Sequence, residues 1–487
     1  MTTPIKFGTD GWRAIIAEDF TFDNVRLCAQ STAEYFRSQG RPQSGVVVGY
    51  DTRFASEHFA AAVAEVLAAN GIPVYLASKV IPTPVASFSV QQLGAAGGVV
   101  ITASHNPGSY NGFKVKDHHA GSAPPEAVAQ IEERIPEIQR TGRVQRMPLA
   151  QAQAQAAGLV RPLDPDADYL AHIRALVGPE RIQAIKDAGL TIAVDSMYGA
   201  GAGYTARLLR GGRTRIVEMH AQRNPAFPGI AQPEPITRNL GKLLARVPRL
   251  GAAVGLATDG DADRLGVVDE HGRFLTQLQV FSLLALYLLE ARGARGALVK
   301  TITMSSMVYR LGERFGVPVA ETDVGFKYVG PEMVRRNALI GGEESGGYGF
   351  RGHIPERDGI LAGLYFLDFM VQTGKTPSQL VDHLYQTVGP HYYDRIDLHF
   401  PPDQRAAIIG RVVEGHPEYL QGSPVAQAGT YRDDLGNLSG VRFMLQDGSW
   451  LLIRFSGTEP VLRIYAETNS PERVARLLQD GRRLAGV

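Results

Sequence analysis

One pattern recurs three times and dictates most of what this chain can become. A short, unbroken apolar run is followed by a turn rich in small or polar residues and then by a helical stretch. Val46-Val47-Val48-Gly49-Tyr50-Asp51 leads through a loop to a helix through Ala60–Asn70, which Gly71 ends as a C-cap. Leu190-Thr191-Ile192-Ala193-Val194-Asp195 leads through a glycine loop to a helix near Thr205–Leu209. Ala297-Leu298-Val299-Lys300-Thr301-Ile302 leads through Thr303–Ser306 to a helix near Met307–Phe315. Apolar runs without polar alternation mark strands buried on both faces, as in parallel sheets covered by helices. The three units predict three α/β domains of similar plan, with negligible sequence identity between them.

The pattern changes from Gly389-Pro390 onward. His391-Tyr392-Tyr393, Val441–Leu445, Trp450–Phe455 and Leu462–Thr468 look like strands, closed by a helix over Pro471–Leu484. That suits a smaller α+β domain. The Gln/Ala stretch Gln151–Gly158, followed by Pro162-Leu163-Asp164-Pro165, marks a seam after the first domain. The expected segments are 1–155, 156–278 and 279–388 for the α/β domains and 389–487 for the last, within the length prior for 487 residues.

Charge and composition narrow the partners. Fifty Lys+Arg balance 49 Asp+Glu at a net +1, so no global field favours nucleic acid or an acidic membrane. The single cysteine, Cys28, can form neither an internal disulfide nor a Cys-based zinc site. The N-terminal stretch lacks the apolar core of a signal peptide, and the apolar run near Val280–Leu289 is far short of a membrane span of roughly 20 residues. A cytoplasmic protein acting on small molecules, as a monomer or homodimer, is expected.

Four loops carry candidate chemistry. Thr102-Ala103-Ser104-His105-Asn106-Pro107 follows the apolar strand Gly98–Ile101, with Lys114 and Lys116 a few residues on. Ser104 there is either a nucleophile or phosphate carrier, or part of a Ser/Asn turn closed by Pro107. The G-x-S-x-G elbow of serine hydrolases is absent. Asp259-Gly260-Asp261-Ala262-Asp263-Arg264 places three carboxylates at i, i+2 and i+4, on one side of an extended backbone. They repel one another unless a divalent cation sits between them, so a Mg²⁺ or Ca²⁺ site is the simplest reading. Glu270 completes an EF-hand spacing, but Arg264 replaces that loop's glycine and strands flank it. Arg264 can also reach a phosphoryl oxygen. Gly342-Glu343-Glu344-Ser345-Gly346-Gly347 offers carboxylates and a hydroxyl to a polyol, or is an acidic surface turn. Arg454-Phe455-Ser456-Gly457-Thr458-Glu459-Pro460 combines an arginine, two hydroxyls and backbone N–H groups as a phosphate nest does, although a hairpin turn explains it nearly as well. Gly199-Ala200-Gly201-Ala202-Gly203 is a poor dinucleotide fingerprint, because Tyr204 stands where the third glycine belongs.

Together and in this order, the loops resemble the α-D-phosphohexomutase superfamily of phosphoglucomutases and phosphomannomutases. The resemblance runs from Gly8-Thr9-Asp10-Gly11-Trp12-Arg13 to Arg454–Pro460 and takes in the family's T-A-S-H-N-P, D-G-D-x-D-R, G-E-x-S and S-G-T-E-P motifs. It implies a four-domain, heart-shaped fold with one motif per domain meeting in a central cleft. It implies that Ser104 carries the phosphoryl group and that Asp259, Asp261 and Asp263 bind Mg²⁺ with a phosphoserine oxygen. Arg13, His105 and Lys114 would line the transfer site, with Lys114 a candidate proton shuttle. Glu343 and Ser345 would hold sugar hydroxyls, Lys327 a further sugar or phosphate contact, and Arg454, Ser456, Gly457 and Thr458 the phosphate not being transferred. The stretch His353–Gly359 is similar to glucose-type enzymes and adds His353 and Arg357 as substrate contacts, with Arg357 in place of a lysine. Arginine stays charged and is a poor acid–base group. The Glu343–Gly347 loop looks more like the glucose-specific members, so the resemblance implies a phosphoglucomutase working through glucose 1,6-bisphosphate. Mannose-specific and dual-specific mutases, and a sugar-phosphate phosphatase, are the alternatives.

Overall fold

The computed structural model describes residues 5–8, 10–154, 158–415, 417–432, 436–455 and 461–487. Among these residues the strands form four sheets. In the first, Val46–Tyr50 lies parallel to both Val74–Ala77 and Gly97–Ile101. In the second, Thr191–Asp195 lies parallel to Arg215–Met219 and Val254–Thr258. In the third, Leu298–Thr301 lies parallel to Val319–Thr322 and Ile340–Gly342. The three central strands are the three apolar runs of the sequence, and they are buried almost throughout, as strands covered on both faces must be.

After its last parallel strand each domain turns back on itself. Tyr110–Lys116 pairs antiparallel with Gly97–Ile101, Leu265–Val268 with Val254–Thr258, and Tyr348–Phe350 with Ile340–Gly342. The hairpin loops so formed contain Ser104, the three aspartates and Glu343–Ser345 in turn. Three of the four chemical loops therefore occupy one topological position, repeated. Each turns through a left-handed residue: Ser104 at φ 52°, Ala262 at φ 59° and Gly346 at φ 90°.

Two expected borders shift. Val160–Leu163 pairs parallel with Val74–Ala77 and forms the edge of the first sheet, beyond the expected end at 155. Pro162 is tolerated there because an edge strand can spare one N–H. The expected 278/279 border falls inside the helix Gln277–Leu286, which Thr276 starts with a capping box.

The C-terminal domain is a six-stranded antiparallel sheet in the order Tyr392–His399, Val461–Thr468, Trp450–Phe455, Leu438–Leu445, Ser423–Arg432, Tyr419–Leu420. Two helices, Arg405–Glu414 and Pro471–Ala485, accompany it. The second begins where the Ser470 side chain accepts from Arg473 N and buries Val474, Leu477 and Leu478. This domain has its own core around Phe443, Leu451, Ile453 and Ile464, whereas the first three domains share one contiguous core. Its bond to the third domain is a small apolar contact of Ile302 with Trp450, Leu452 and Tyr465. A cage around Glu321 adds to it: Arg442 donates to that carboxylate at 2.7 and 2.8 Å, Lys300 at 2.8 Å and the Tyr309 hydroxyl at 2.8 Å. No helix among the described residues is long and apolar enough to cross a membrane.

Candidate active site

The three hairpin loops converge, touching one another and the starts of the helices Thr83–Leu93 and Gly359–Thr373. Thr83 N donates to Asp261 O at 2.9 Å, Leu265 N to Gly346 O at 2.9 Å, and Gly359 N to Ala262 O at 3.1 Å. Gly260 lies so close to the Ser104 carbonyl that a Cβ there would fall well inside van der Waals contact. Ser104 is fully buried, and its Oγ donates to Asp259 Oδ2 at 3.0 Å, with His105 Nδ1 3.3 Å away.

Asp259, Asp261 and Asp263 are fully buried, and one oxygen of each lies within 4.8 Å of the others. Their outer oxygens are spoken for. Lys114 Nζ reaches Asp261 Oδ2 at 2.8 Å, Asp263 Oδ2 at 3.3 Å and Asp10 Oδ2 at 2.7 Å. Thr83 Oγ1 donates to Asp261 Oδ2 at 2.6 Å, and Arg357 Nη2 to Asp263 Oδ2 at 2.6 Å. Oδ1 of Asp261 and of Asp263, by contrast, are buried and accept nothing from any described residue. Unpaired buried carboxylate oxygens are costly. Three hard oxygen donors with two orphaned lone-pair sites fit a hard divalent cation. Burial, then Asp263 and Asp261, push the Asp259 carboxyl well above the usual carboxylate range, whereas Lys114, against burial, holds the Asp261 carboxyl below it.

Lys114 sits in a different balance. Burial works against its charge, but Asp10, Asp261 and Asp263 more than offset that and hold it protonated well above the ordinary lysine range. A lysine so placed keeps its proton through neutral pH. His105 is the reverse: burial, then Arg264, Arg13, Lys114 and Arg357, hold its ring well below the usual range, so it is neutral at pH 7. Arg13 Nη1 donates to Asn106 Oδ1 at 2.8 Å and so sits against the serine loop.

Beside this cluster opens a cleft of about 500 Å³ that Arg13, His105, Arg264, Lys327, Glu343, Ser345 and Arg357 line together. Arg264 Nη1 donates to Glu234 at 3.3 Å and its Nε lies 3.8 Å from Asp259. Arg357 bridges the loops, reaching Asp10 at 2.8 Å and Glu343 at 3.3 Å as well as Asp263. Burial lifts the Glu343 carboxyl to about 7 despite Arg357. Ser345 Oγ is buried and accepts nothing from a described residue, as a hydroxyl meant for a ligand can be.

His353 departs from the expectation. Its ring is buried away from the cleft, bonding Asp358 at 2.9 Å and His172 at 3.0 Å, with Tyr169 on the same carboxylate. It braces the start of the helix Gly359–Thr373, which Asp358 caps. Arg454 is half-buried at the end of its strand, and Ser456, Gly457 and Thr458 lie outside the described residues. The sequence reading gave no role to Asp10, Thr83, Lys116 or Glu356. Lys116 pairs with Glu356 at 2.5 Å, both fully buried. The signal for Lys116 was available, because Lys114 and Lys116 fall on one face of Tyr110–Lys116.

Comparison with known proteins agrees with this geometry. Family models for the phosphoglucomutase/phosphomannomutase α/β/α domains I, II and III match residues 4–141, 167–272 and 277–388, and that for the C-terminal domain matches 419–484. A phosphoglucomutase/phosphomannomutase of Thermococcus kodakarensis is 32% identical over 98% of both chains. A probable phosphoglucosamine mutase of Methanothermobacter thermautotrophicus is 30% identical over 96% of this chain and 95% of its own. The crystal structure of a putative phosphomannomutase from Thermus thermophilus superposes with a TM-score of 0.81 at 35% identity, covering 100% of each chain. With all four domains matched in order and the serine and aspartate loops in contact, the chain belongs to the phosphoglucomutase/phosphomannomutase family, within the α-D-phosphohexomutase superfamily.

Proposed function

We propose that this phosphohexomutase interconverts α-D-glucose 1-phosphate and glucose 6-phosphate through a phosphorylated Ser104 and glucose 1,6-bisphosphate. The observation that carries the reading is the contact of Ser104 Oγ with Asp259, next in sequence to His105 of a cleft that Glu343 and Ser345 also line.

Asp259, Asp261 and Asp263 would hold Mg²⁺, which when bound supplies charge neutralisation for phosphoryl transfer. The protein's own groups do the rest. The phosphoryl group passes from Ser104 Oγ to O6 of the sugar 1-phosphate: the Oγ–P bond breaks, an O6–P bond forms, and the hydroxyl proton of O6 ends on Ser104 Oγ. The bisphosphate then turns end for end, and its 1-phosphate returns to Ser104 while O1 takes the proton. His105 Nδ1, 3.3 Å from Oγ, is placed to hydrogen-bond that oxygen as the proton moves. Lys114, whose Nζ reaches Asp10, Asp261 and Asp263, would balance charge at the transfer site and is the candidate proton shuttle. Arg13, Arg264 and Lys327 line the cleft as phosphate cations, and Glu343 and Ser345 accept from and donate to sugar hydroxyls. Arg454, Ser456, Gly457 and Thr458 would anchor the phosphate not in transit.

The glucose assignment rests on the Glu343-Glu344-Ser345 loop, in which Glu344 accepts from Thr303 Oγ1 at 2.6 Å and so is held in place. The names of the relatives favour broader readings, hexose phosphates epimeric or aminated at C2. Rates on glucose, mannose and glucosamine 1-phosphates, measured together with Mg²⁺ and a trace of glucose 1,6-bisphosphate, decide between them. A strong glucose preference supports the proposal, comparable rates on glucose and mannose make the enzyme dual-specific, and release of free phosphate without 6-phosphate overturns it.

A further inference from the structure

Ser104 is the only residue of its loop in the left-handed region, at φ 52°. For a residue with a Cβ that conformation costs on the order of 1–2 kcal/mol and persists only where the surroundings over-determine it. The loop also turns four carbonyl groups toward one point, an arrangement that repels itself unless a cation fills the centre.

Arg53 fills it. The side chain is fully buried behind the loop and does not line the cleft. Its Nη2 donates to Ser104 O at 2.7 Å and Asn106 O at 2.6 Å, and its Nη1 to Pro107 O at 2.8 Å and Tyr110 O at 2.9 Å. The guanidinium lies over the Phe227 ring of the second domain at 5.2 Å, and its Nε stands 3.2 Å from Asp51 Oδ2. Asp51 is itself fixed. Its Oδ1 accepts from Arg53 N and Ser56 Oγ, each at 2.9 Å, and its Oδ2 accepts from Thr102 Oγ1 at 2.6 Å. Thr102 Oγ1 in turn accepts from Ser104 N at 2.8 Å. Both backbone polar groups of Ser104 are thus tied to one buried ion pair, which leaves its side chain directed at Asp259.

We propose that Arg53, oriented by Asp51, is the positioning residue that holds Ser104 in transfer geometry, an inference that rests on Ser104 as the phosphoryl carrier. Arg53 touches neither Ser104 Oγ nor the cleft. It acts through the loop backbone, and only a planar fork with paired donors on each side can satisfy four carbonyls at once. A lysine keeps the charge and loses the fork.

The test compares Arg53→Lys with the wild-type protein in four measurements. The inference expects kcat on glucose 1-phosphate to fall at least 100-fold, the order of loss for a reacting group misplaced by about 1 Å. KM and the Mg²⁺ affinity of the dephosphorylated protein should stay within threefold, because the cleft and the aspartates are intact. Amide hydrogen exchange over residues 102–112 should quicken at least tenfold, with other peptides unchanged. A folded variant whose kcat and loop exchange stay within threefold of wild type overturns the inference. So does a variant that loses kcat, KM and Mg²⁺ affinity together with a general rise in exchange, since that marks a merely structural role. If Arg53→Lys does not fold, Thr102→Val cuts the Asp51–Ser104 link without stranding a charge, and should give the same pattern at about tenfold in kcat. Failure of the carrier reading shows separately, as wild-type protein that takes no phosphate on Ser104 from glucose 1,6-bisphosphate. The exchange rates then still decide whether Arg53 holds the loop.

Discussion

Gly260 stands between two of the three aspartates, and its replacement by alanine isolates how closely the serine and aspartate loops must approach. The new Cβ would sit well under 3.0 Å from the Ser104 carbonyl oxygen, a backbone atom that Arg53 holds from behind, and 3.3 Å from Pro233 Cγ. A carbon–oxygen contact settles at about 3.3–3.6 Å, so the loops must part by roughly 1 Å. The Ser104 Oγ–Asp259 Oδ2 hydrogen bond, now 3.0 Å, would then stretch past bonding range. Overpacking of this kind costs about 1–3 kcal/mol of stability, and a 1 Å misplacement costs about 100-fold in rate. Gly260→Ala should therefore remain folded, with a Tm lowered by a few degrees, KM little changed and kcat down about 100-fold. Steady-state turnover and thermal unfolding on the same preparation check this. A variant with kcat within threefold of wild type would refute the claimed contact between the loops.

Four further outcomes follow from the same structure. Gly410→Ala, in the helix Arg405–Glu414 with nothing near the new Cβ, should stabilise the protein by about 0.5–1 kcal/mol without touching kcat, as thermal melts would show. Glu343, with its carboxyl lifted to about 7, binds a proton in the folded state that it does not bind unfolded between its ordinary value of 4.5 and 7. Its cost to stability is thus absent below about 4.5, grows as pH rises and is complete above 7, so Glu343→Gln should raise Tm at pH 8 and leave it nearly unchanged at pH 5. Glu321→Gln strips the carboxylate from the cage of Lys300 and Arg442, leaving buried cations unpaired at a cost of about 3–5 kcal/mol. Calorimetry should then resolve the C-terminal domain as a separate, earlier transition. Lys114→Met should weaken the stability of the metal-free protein but enlarge the rise in Tm that saturating Mg²⁺ produces, because Asp261 and Asp263 lose their competing cation.

The sequence disclosed the plan of the fold more readily than its wiring. The runs at Val46, Leu190 and Ala297 announce central parallel strands because burial on both faces suppresses alternation, and they are the central strands here. The edge strand Val160–Leu163 was hidden, since Pro162 and the nearby Pro165 look like a linker and its pairing with Val74–Ala77 is set by tertiary contact. In the site, residues within one hairpin were legible as a cluster, although the aspartates converge because their loop turns at Ala262 and not along an extended backbone. Residues on irregular backbone were not: His353 and Arg357 are four apart in one loop, yet Arg357 reaches the cleft and His353 turns away to Asp358 and His172. Thr83 shows a third limit, for its bond to Asp261 spans 178 residues and no local pattern encodes it.

The central claim is that Ser104 carries the phosphoryl group between the two ends of a hexose. Incubation with labelled glucose 1,6-bisphosphate and Mg²⁺, followed by mass-spectrometric mapping, tests it most directly. The account predicts about one phosphate per chain on Ser104, discharged by glucose 1-phosphate as glucose 1,6-bisphosphate and then glucose 6-phosphate, and no label in Ser104→Ala. Full mutase turnover with Ser104 unlabelled, or in Ser104→Ala, would contradict it.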